Sequence, residues 1–428
     1  MNPHQSPFRY ALFMFSLVFA GEAIFGLPFL VARVFRPTLL EVFQITNTEL
    51  GIAFSWYGVV AMASYFPGGP IADRFSARRL MVVALLVSGA GGVYYASIPS
   101  IGGLKLLFAF WGLTTILLFW AALIRATKEW GGAHGQGRAF GILDGGRGLF
   151  AAVLATVTGL AFASLLPIDV ESATLAQKTV ALQRVIWIFT GMTAFAAILV
   201  WCFVPEHGDR KLAEYKSTAS NKLSIHAIRP VLRNPAVWLQ GVIVVCAYTG
   251  YKGADDFGLF AKDAFGFNDV QAAHISTLSF WVRPIAAVGV GLLSDRISAS
   301  RAVLLCFGAL FVGDLIVSVG LISPSAPWTL YMAIAGTSAA VFGLRGVYFA
   351  LFNDARVPPA LIGTAAGLVS VIGYTPDIFM GPLMGILTDN NPGAIGHQYL
   401  FGALAGFAAI GFVATLLFQR IASRHRSP

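Results

Sequence analysis

Charge is what this 428-residue sequence has least of. Asp, Glu, Lys and Arg make up 11% of it, where a soluble globular domain carries about 25%, so there is too little polar surface to clothe a water-soluble fold of this size. Cysteine is nearly absent. Cys202, Cys246 and Cys306 fall inside apolar stretches at spacings that match neither a disulfide framework nor a zinc site, and they read as small core residues. There is no nucleotide-binding P-loop, which excludes an ATP-driven pump within this chain, and no H-E-x-x-H, G-x-S-x-G or Cys/His ligand cluster. The seven histidines are scattered without a metal pattern. Enzyme chemistry, cofactor and metal are therefore not expected. The N-terminus, Met1 to Tyr10, is short and polar, and the apolar run that follows is expected to stay as a first helix rather than be cleaved as a signal peptide.

Apolar residues are abundant: 57% of the chain, with a mean hydropathy of +0.74. A membrane span needs roughly 20 mostly apolar residues, and such runs recur near 10–33, 48–71, 78–97, 102–125, 138–164 and 183–204. Six more follow near 235–260, 270–293, 301–322, 327–352, 361–387 and 398–420. The expected fold is an all-α membrane protein of twelve transmembrane helices in two six-helix bundles related by a pseudo-twofold axis, with N-terminal (1–204) and C-terminal (234–428) halves. The one long polar stretch, 205–233, joins them as a cytoplasmic linker. Within it Leu223, Ile225, Ile228, Val231 and Leu232 are compatible with an amphipathic surface helix or with a solvated linker.

The net charge of +9 does not point to nucleic acid, because the basic residues sit in short loops between spans. With both termini cytoplasmic, roughly 18 Lys and Arg fall on the cytoplasmic side and about 6 outside, the asymmetry of the positive-inside rule. The expected location is the cytoplasmic (inner) membrane of a bacterium, with the lipid bilayer as surroundings and a monomer as the unit.

An internal repeat is the most specific signal. Gly69-Pro70-Ile71-Ala72-Asp73-Arg74-Phe75-Ser76-Ala77-Arg78-Arg79 follows the second span, and Gly291-Leu292-Leu293-Ser294-Asp295-Arg296-Ile297-Ser298-Ala299-Ser300-Arg301 follows the eighth. Both read G-x-x-x-D-R-x-S-x-x-R, at equivalent places in the two halves, as transporter folds built from repeats lead one to expect. The segments resemble the cytoplasmic loop signature of the major facilitator superfamily, and the likeness in span count and linker covers the whole chain. Within that superfamily, Arg125-Ala126-Thr127-Lys128-Glu129, Gly137-Arg138-Ala139-Phe140-Gly141 and Gly145-Gly146-Arg147-Gly148 look like bacterial sugar-phosphate and organic-anion permeases, in particular a YihN-like group.

The resemblance implies alternating-access transport of a small polar or anionic organic metabolite, driven by protons or by exchange. Efflux of an amphipathic compound is the alternative within transport, weakened by the missing proline of the drug-antiporter glycine motif on helix five. A transporter-derived sensor is the alternative outside it. Gly69, Asp73, Arg74, Arg78, Gly291, Asp295, Arg296 and Arg125 are candidates for the conformational switch. Asp73 and Asp295 would meet the positive N-terminal ends of opposite-half helices near Leu361 and Arg138, holding an outward-facing state. For Arg125, snorkelling to the interface is the other reading.

Ionisable residues within spans cost several kcal/mol unless they face a polar cavity or a partner. Glu22 is either a proton carrier or a hydrogen-bonded packing residue. Helix seven places Tyr248, Lys252 and Asp255 or Asp256 at spacings of three and four on one face, so Lys252 either binds an anion or is neutralised locally. Asp256 is expected at the solvated outer rim. Arg283 and Arg345 have no acid one helical turn away. Each binds substrate through its planar donor fork or pairs with Asp314, Asp377 or Glu22. Asp144 and Arg147 are spaced to pair locally, and Asp314 is expected to be structural. Tyr57 and Tyr65 are cavity candidates. The expected substrate contacts are thus Arg283, Arg345, Lys252, Tyr248 and Tyr57, and the expected proton carriers Glu22, Asp255 and Asp377.

Overall fold

The computed structural model describes residues 7–132, 135–206, 231–354 and 362–424. Among them are twelve long helices. In the first half α1 is Pro7–Val34, α2 Asn47–Arg74, α3 Ala77–Ala96, α4 Ile101–Gly131, α5 Arg138–Ser164 and α6 Leu175–Phe203. In the second, α7 runs over Pro235–Gly253 and continues through a 3-10 turn at Ala254–Asp256 into Phe257–Phe265. It is followed by α8 Asp269–Ile297, α9 Ala299–Ser318, α10 Trp328–Ala350, α11 Ala365–Asn390 and α12 Ala394–Ala422. All but α7 are long and apolar enough to cross a membrane. Residues 207–230, where the amphipathic surface helix would lie, are outside the described residues.

Packing repeats between the halves. In the first, α2 packs on α4, α3 on α6, and α1 on α5 and α6; in the second, α8 packs on α10, α9 on α12, and α7 on α11 and α12. The halves meet through α2 with α11 and α5 with α8, which are equivalent pairs under the same repeat. The two-bundle architecture therefore shows in the helix contacts as well as in the loop motif.

The interface is closed at one end. The repeated loops Gly69–Arg79 and Gly291–Arg301 mark the other, open end. At the closed end α2 begins with a capping box, Thr46 with Glu49, and its first two N–H groups are satisfied from across the interface: Asn47 N donates to Asp389 Oδ1 at 3.2 Å and Thr48 N to Asp389 Oδ2 at 2.7 Å. With Thr46 Oγ1 accepting from Glu49 N at 3.1 Å, three of the orphan donors that every helix start exposes have partners. Asn47 Nδ2 also donates to Thr388 Oγ1 at 2.7 Å. Around this latch Lys178 meets Glu41 at 2.7 Å and Asp269 at 3.0 Å, while Lys262 meets Asp269 at 2.6 Å.

Candidate functional site

Several helices leave regular α geometry around the middle of the bundle, among them α1, α4, α7 and α11, the last interrupted at Tyr374 and Thr375. α1 widens into a π-helical stretch at Gly26–Leu30, α4 does so at Leu113–Trp120, and α7 tightens at Ala254–Asp256. Such irregularities free backbone groups and re-aim side chains, and they recur at functional sites. Here they surround a cavity of about 1070 Å³, part of it open to solvent, lined from α1, α2, α4, α5, α7, α8, α10 and α11.

Five cations line it: Arg33, Arg147, Lys252, Arg283 and Arg345; the carboxylates on its wall are Glu22 and Asp377. Their pairing decides what they can do. Arg33 is hydrogen-bonded to Asp255, both buried, and Lys252 lies 3.3 Å from Asp255 and 3.4 Å from Asp377. Tyr248 Oη donates to Asp377 at 3.1 Å. Lys252 is also 4.9 Å from the ring centres of Phe29 and Phe54 in the first half. These groups form one buried network that ties α1 to α7 and α11, so Lys252, a candidate anion ligand, is neutralised in this state.

Arg147 donates to Gly21 O at 3.0 Å and lies 3.4 Å from Glu22, and Arg283 reaches across the interface to within 3.6 Å of Asp144. The expected local pair of Asp144 and Arg147 is thus not formed: each turns to another helix, because facing helices bring charges closer than one turn of α5 does. Neither Arg283 nor Arg345 pairs with Asp314, Asp377 or Glu22. Asp144 leaves Arg283 weakly held, since its side chain is 63% exposed.

Arg345 differs from the rest. Its guanidinium lies 3.9 Å from the ring centre of Tyr251 and 5.5 Å from that of Tyr248. It makes no ion pair among the described residues, and its Nη1 is buried with no hydrogen-bond partner. A cation stacked on aromatic faces with donors left over is poised for an anion.

Other candidates fall in various places. Tyr57 lines the cavity, but its hydroxyl is 2.9 Å from Thr115 Oγ1. Tyr65 also lines it and stacks on Tyr374 of the second half at 6.5 Å. Asp255 sits behind the wall, held by Arg33 and Lys252. Asp256 is not at a solvated rim: it is 0% exposed, because the 3-10 turn rotates it toward α12, where it meets His397 at 2.6 Å. Asp314 is buried with Oδ2 unpartnered. Sequence reasoning missed Arg33, which sits at the expected end of the first span and so reads as interfacial. Tyr251, whose ring centre lies 4.4 Å from the Arg33 guanidinium and 3.9 Å from that of Arg345, carried no signal beyond its place beside Lys252.

At the open end Asp73, Arg74, Asp295 and Arg296 are exposed. Neither aspartate has an ion-pair or hydrogen-bond partner among the described residues, and Leu361 lies outside them. Gly69 and Gly291 face open space. Arg78 is bonded to Glu206 and packs 4.8 Å from the Trp201 ring. Arg125 clasps the turn after α2, donating to Ala72 O at 2.7 Å and Phe75 O at 3.3 Å, and pairs with Glu129 at 3.0 Å.

Two six-helix bundles that close over a charged central cavity at one end and part at the other define a membrane transporter rather than an enzyme. The sequence matches the Major Facilitator Superfamily family model over residues 11–376, and the chain belongs to that superfamily. It is 27% identical to inner membrane protein YqcE of Escherichia coli strain K12 over 96% of this chain and 95% of that one. It is 28% identical to inner membrane protein YihN of the same organism over 98% and 97%. Among solved structures it resembles a bacterial homologue of the human lysosomal transporter Spinster in an inward-facing, unoccupied conformation, with TM-score 0.78 and 15% identity over 99% of this chain and all of that one. The nucleoside transporter NupG gives TM-score 0.71 and 14% identity over 98% and 99%.

Proposed function

We propose that this chain moves a small organic anion across the cytoplasmic membrane by alternating access, coupled to protons or by exchange, and that Arg345 anchors the anion. The observation that carries the proposal is the cavity's charge pairing: four of its cations have carboxylate neighbours and Arg345 has none among the described residues. Arg283 is the second contact, because its partner Asp144 is solvated and 3.6 Å away. Lys252 and Tyr248 are held by Asp255 and Asp377 and become available only when that network rearranges. Glu22, Asp255 and Asp377 are each tied to a cation, so protonating any of them would release Arg147, Arg33 or Lys252 toward substrate. With both termini cytoplasmic, the closed end faces outward and this is the inward-open state.

The test is a thermal-shift screen of anionic metabolites on purified protein, since a specific binder stabilises by mass action, followed by affinities of variants. Losing a charged hydrogen bond costs about 1.5–3 kcal/mol, or roughly ten- to a hundredfold in Kd. Arg345→Ala should lose that much and Arg345→Lys should not restore it, because lysine lacks the planar fork. Wild-type affinity in Arg345→Ala would refute the anchor. The aromatic wall of Phe25, Phe29, Trp120 and Phe280 favours a second reading, efflux of an amphipathic anion; outward rather than inward movement in liposomes would select it.

A further inference from the structure

The closed end holds a cluster that the cavity does not use. His397, near the start of α12, is 0% exposed, and both of its ring nitrogens face carboxylates: Nδ1 is 2.6 Å from Asp256 Oδ2 and Nε2 is 3.2 Å from Asp263 Oδ2. A neutral imidazole carries one N–H, so it can donate to only one of these acceptors. Both contacts are hydrogen bonds when the cluster holds one further proton, on the ring or on a carboxylate. Access is one-sided. Asp256 is fully buried, whereas the side chain of Asp263 is 35% exposed, so two hydrogen bonds lead from the surface of the closed end to a buried acid.

Asp256 is also the residue next to Asp255 on the 3-10 turn of α7, and Asp255 holds Arg33 and Lys252 of the cavity network. Its Oδ1 is buried without a partner. Across the interface Arg36, 1% exposed, has Nη1 and Nη2 equally unpartnered and lies within electrostatic reach of Asp255, Asp256 and Asp389. The remaining charged groups nearby are committed or separate. Lys262 is taken by Asp269, and Asp389 of α11 by the start of α2. Asp314 of α9 lines a small cavity behind the turn together with Ala254 and Phe257.

We propose that Asp256, His397 and Asp263 form a proton-binding site that couples transport to a proton gradient, loaded from the closed end, and that its occupancy sets how firmly that end is shut. The ring accepts a proton at Nε2 and can release one at Nδ1, so the cluster conducts as well as stores. With the extra proton the imidazolium neutralises Asp256. Without it the charge of Asp256 is directed at Arg36 and strengthens the attraction between the halves. Acidification should therefore loosen the closed end. The proposal rests on the transporter reading above.

The test needs no substrate. Cys202 is exposed, not in the core as its sequence position led one to expect, while Cys246 and Cys306 are buried. In a Cys202→Ser background, spin labels at Ile168→Cys and Ser325→Cys, in the loops after α5 and α9, report opening of the closed end in liposomes. Between about pH 10 and about pH 6, a range wide enough for an imidazole flanked by two carboxylates, the opened fraction of the otherwise unaltered protein should rise severalfold. His397→Asn and Asp256→Asn should abolish the rise and Asp314→Asn should keep it. Asp263→Asn, on the exposed side, should blunt it, and serves if the buried variants do not fold. A rise that survives in the His397 or Asp263 variants, moves to Asp314, reverses in sign or is absent from the start would overturn the proposal. Metabolite uptake indifferent to pH would leave the transporter reading standing while this one fell; a normal pH response without uptake of any metabolite would leave a pH-sensitive closure and remove both the transporter reading and the coupling that rests on it.

Discussion

The two ends of the interface are built from the same kind of residue in opposite situations. At the closed end glycine lets backbones touch: a Cβ on Gly51 would run into Gly381 and Pro382, and one on Gly58 would lie 2.7 Å from the Asp377 carbonyl. At the open end Gly69 on α2, Gly141 and Gly145 on α5, Gly291 on α8 and Gly367 on α11 have nothing within 4 Å of where a Cβ would be. These are the four helices through which the halves meet, and two of them, α2 and α11, also carry the closed-end glycines. Small residues at interfaces let membrane helices approach closely, and a stripe of them facing open space has the shape of a contact made in another state. The spacing Gly137, Gly141, Gly145 on α5 reads in the sequence as a helix-packing surface; in this structure the described part of it is unused. The difference sets a test: if the open-end stripes meet when that end shuts, filling them acts on that state alone, whereas filling the closed end acts on the state seen here.

The strongest way to break the comparison is to fill the closed end. Gly51→Val places side chain where the opposite backbone lies, and backbone cannot swing aside. Overpacking costs about 1–3 kcal/mol or more, which would move the balance of the two states by roughly ten- to a hundredfold. We expect distances between labels at Ile168 and Ser325 to lengthen in most molecules and transport to fail. Short distances as in the unaltered protein would show that the glycine contact is incidental.

Filling the open end should act on the other state alone. Gly141→Leu with Gly367→Leu meets empty space here, so melting temperature and closed-end distances should stay as they are, while the open end becomes unable to shut and turnover is lost. Full turnover in the double variant would mean that these stripes do not meet in any state.

Asp389→Asn is a smaller perturbation. The carboxylate accepts from two N–H groups at the positive start of α2; asparagine keeps one acceptor oxygen, and helix-cap losses run to about 0.5–2 kcal/mol. The opened fraction should rise severalfold. An unchanged fraction would assign the latch to the glycines alone.

How much of this was legible in the sequence follows from the range of each interaction. Span count, halves and the repeated loop depend on apolar length and local motif, which a chain carries in its own order. That Glu22, Arg283, Arg345 and Asp377 belong to a polar interior also follows, because charge at membrane depth is expensive without one. Pairing does not follow. Arg147 with Glu22, Arg283 with Asp144 and Arg33 with Asp255 are set by how helices face one another, and local spacing suggested a different partner for Asp144. Asp256 was misplaced because its exposure depends on a 3-10 turn that breaks the 3.6-residue period. His397, a lone histidine near a helix start, gave no sign of the carboxylates on either side of it.

The gentlest test concerns Asp73 and Asp295. Both are exposed and without partners among the described residues at the open end, so Asn at either position removes nothing from the state seen here, and stability and closed-end distances should be indistinguishable from the parent protein. If their role is to meet helix starts of the opposite half when the open end shuts, the loss appears only there: the fraction of molecules with that end closed falls, and turnover falls with it. Asp73 should matter more than Asp295. Its loop is already ordered for the task, with Arg125 clasping Ala72 O and Phe75 O and Arg78 bonded to Glu206, whereas at the second loop Asp354 accepts from Ser300 N at 3.1 Å and no arginine clasp is seen among the described residues. Labels on the two open-end loops would measure it. Equal effects of the two substitutions would show that the halves switch symmetrically, and no effect of either would leave the open end to be shut by its glycines.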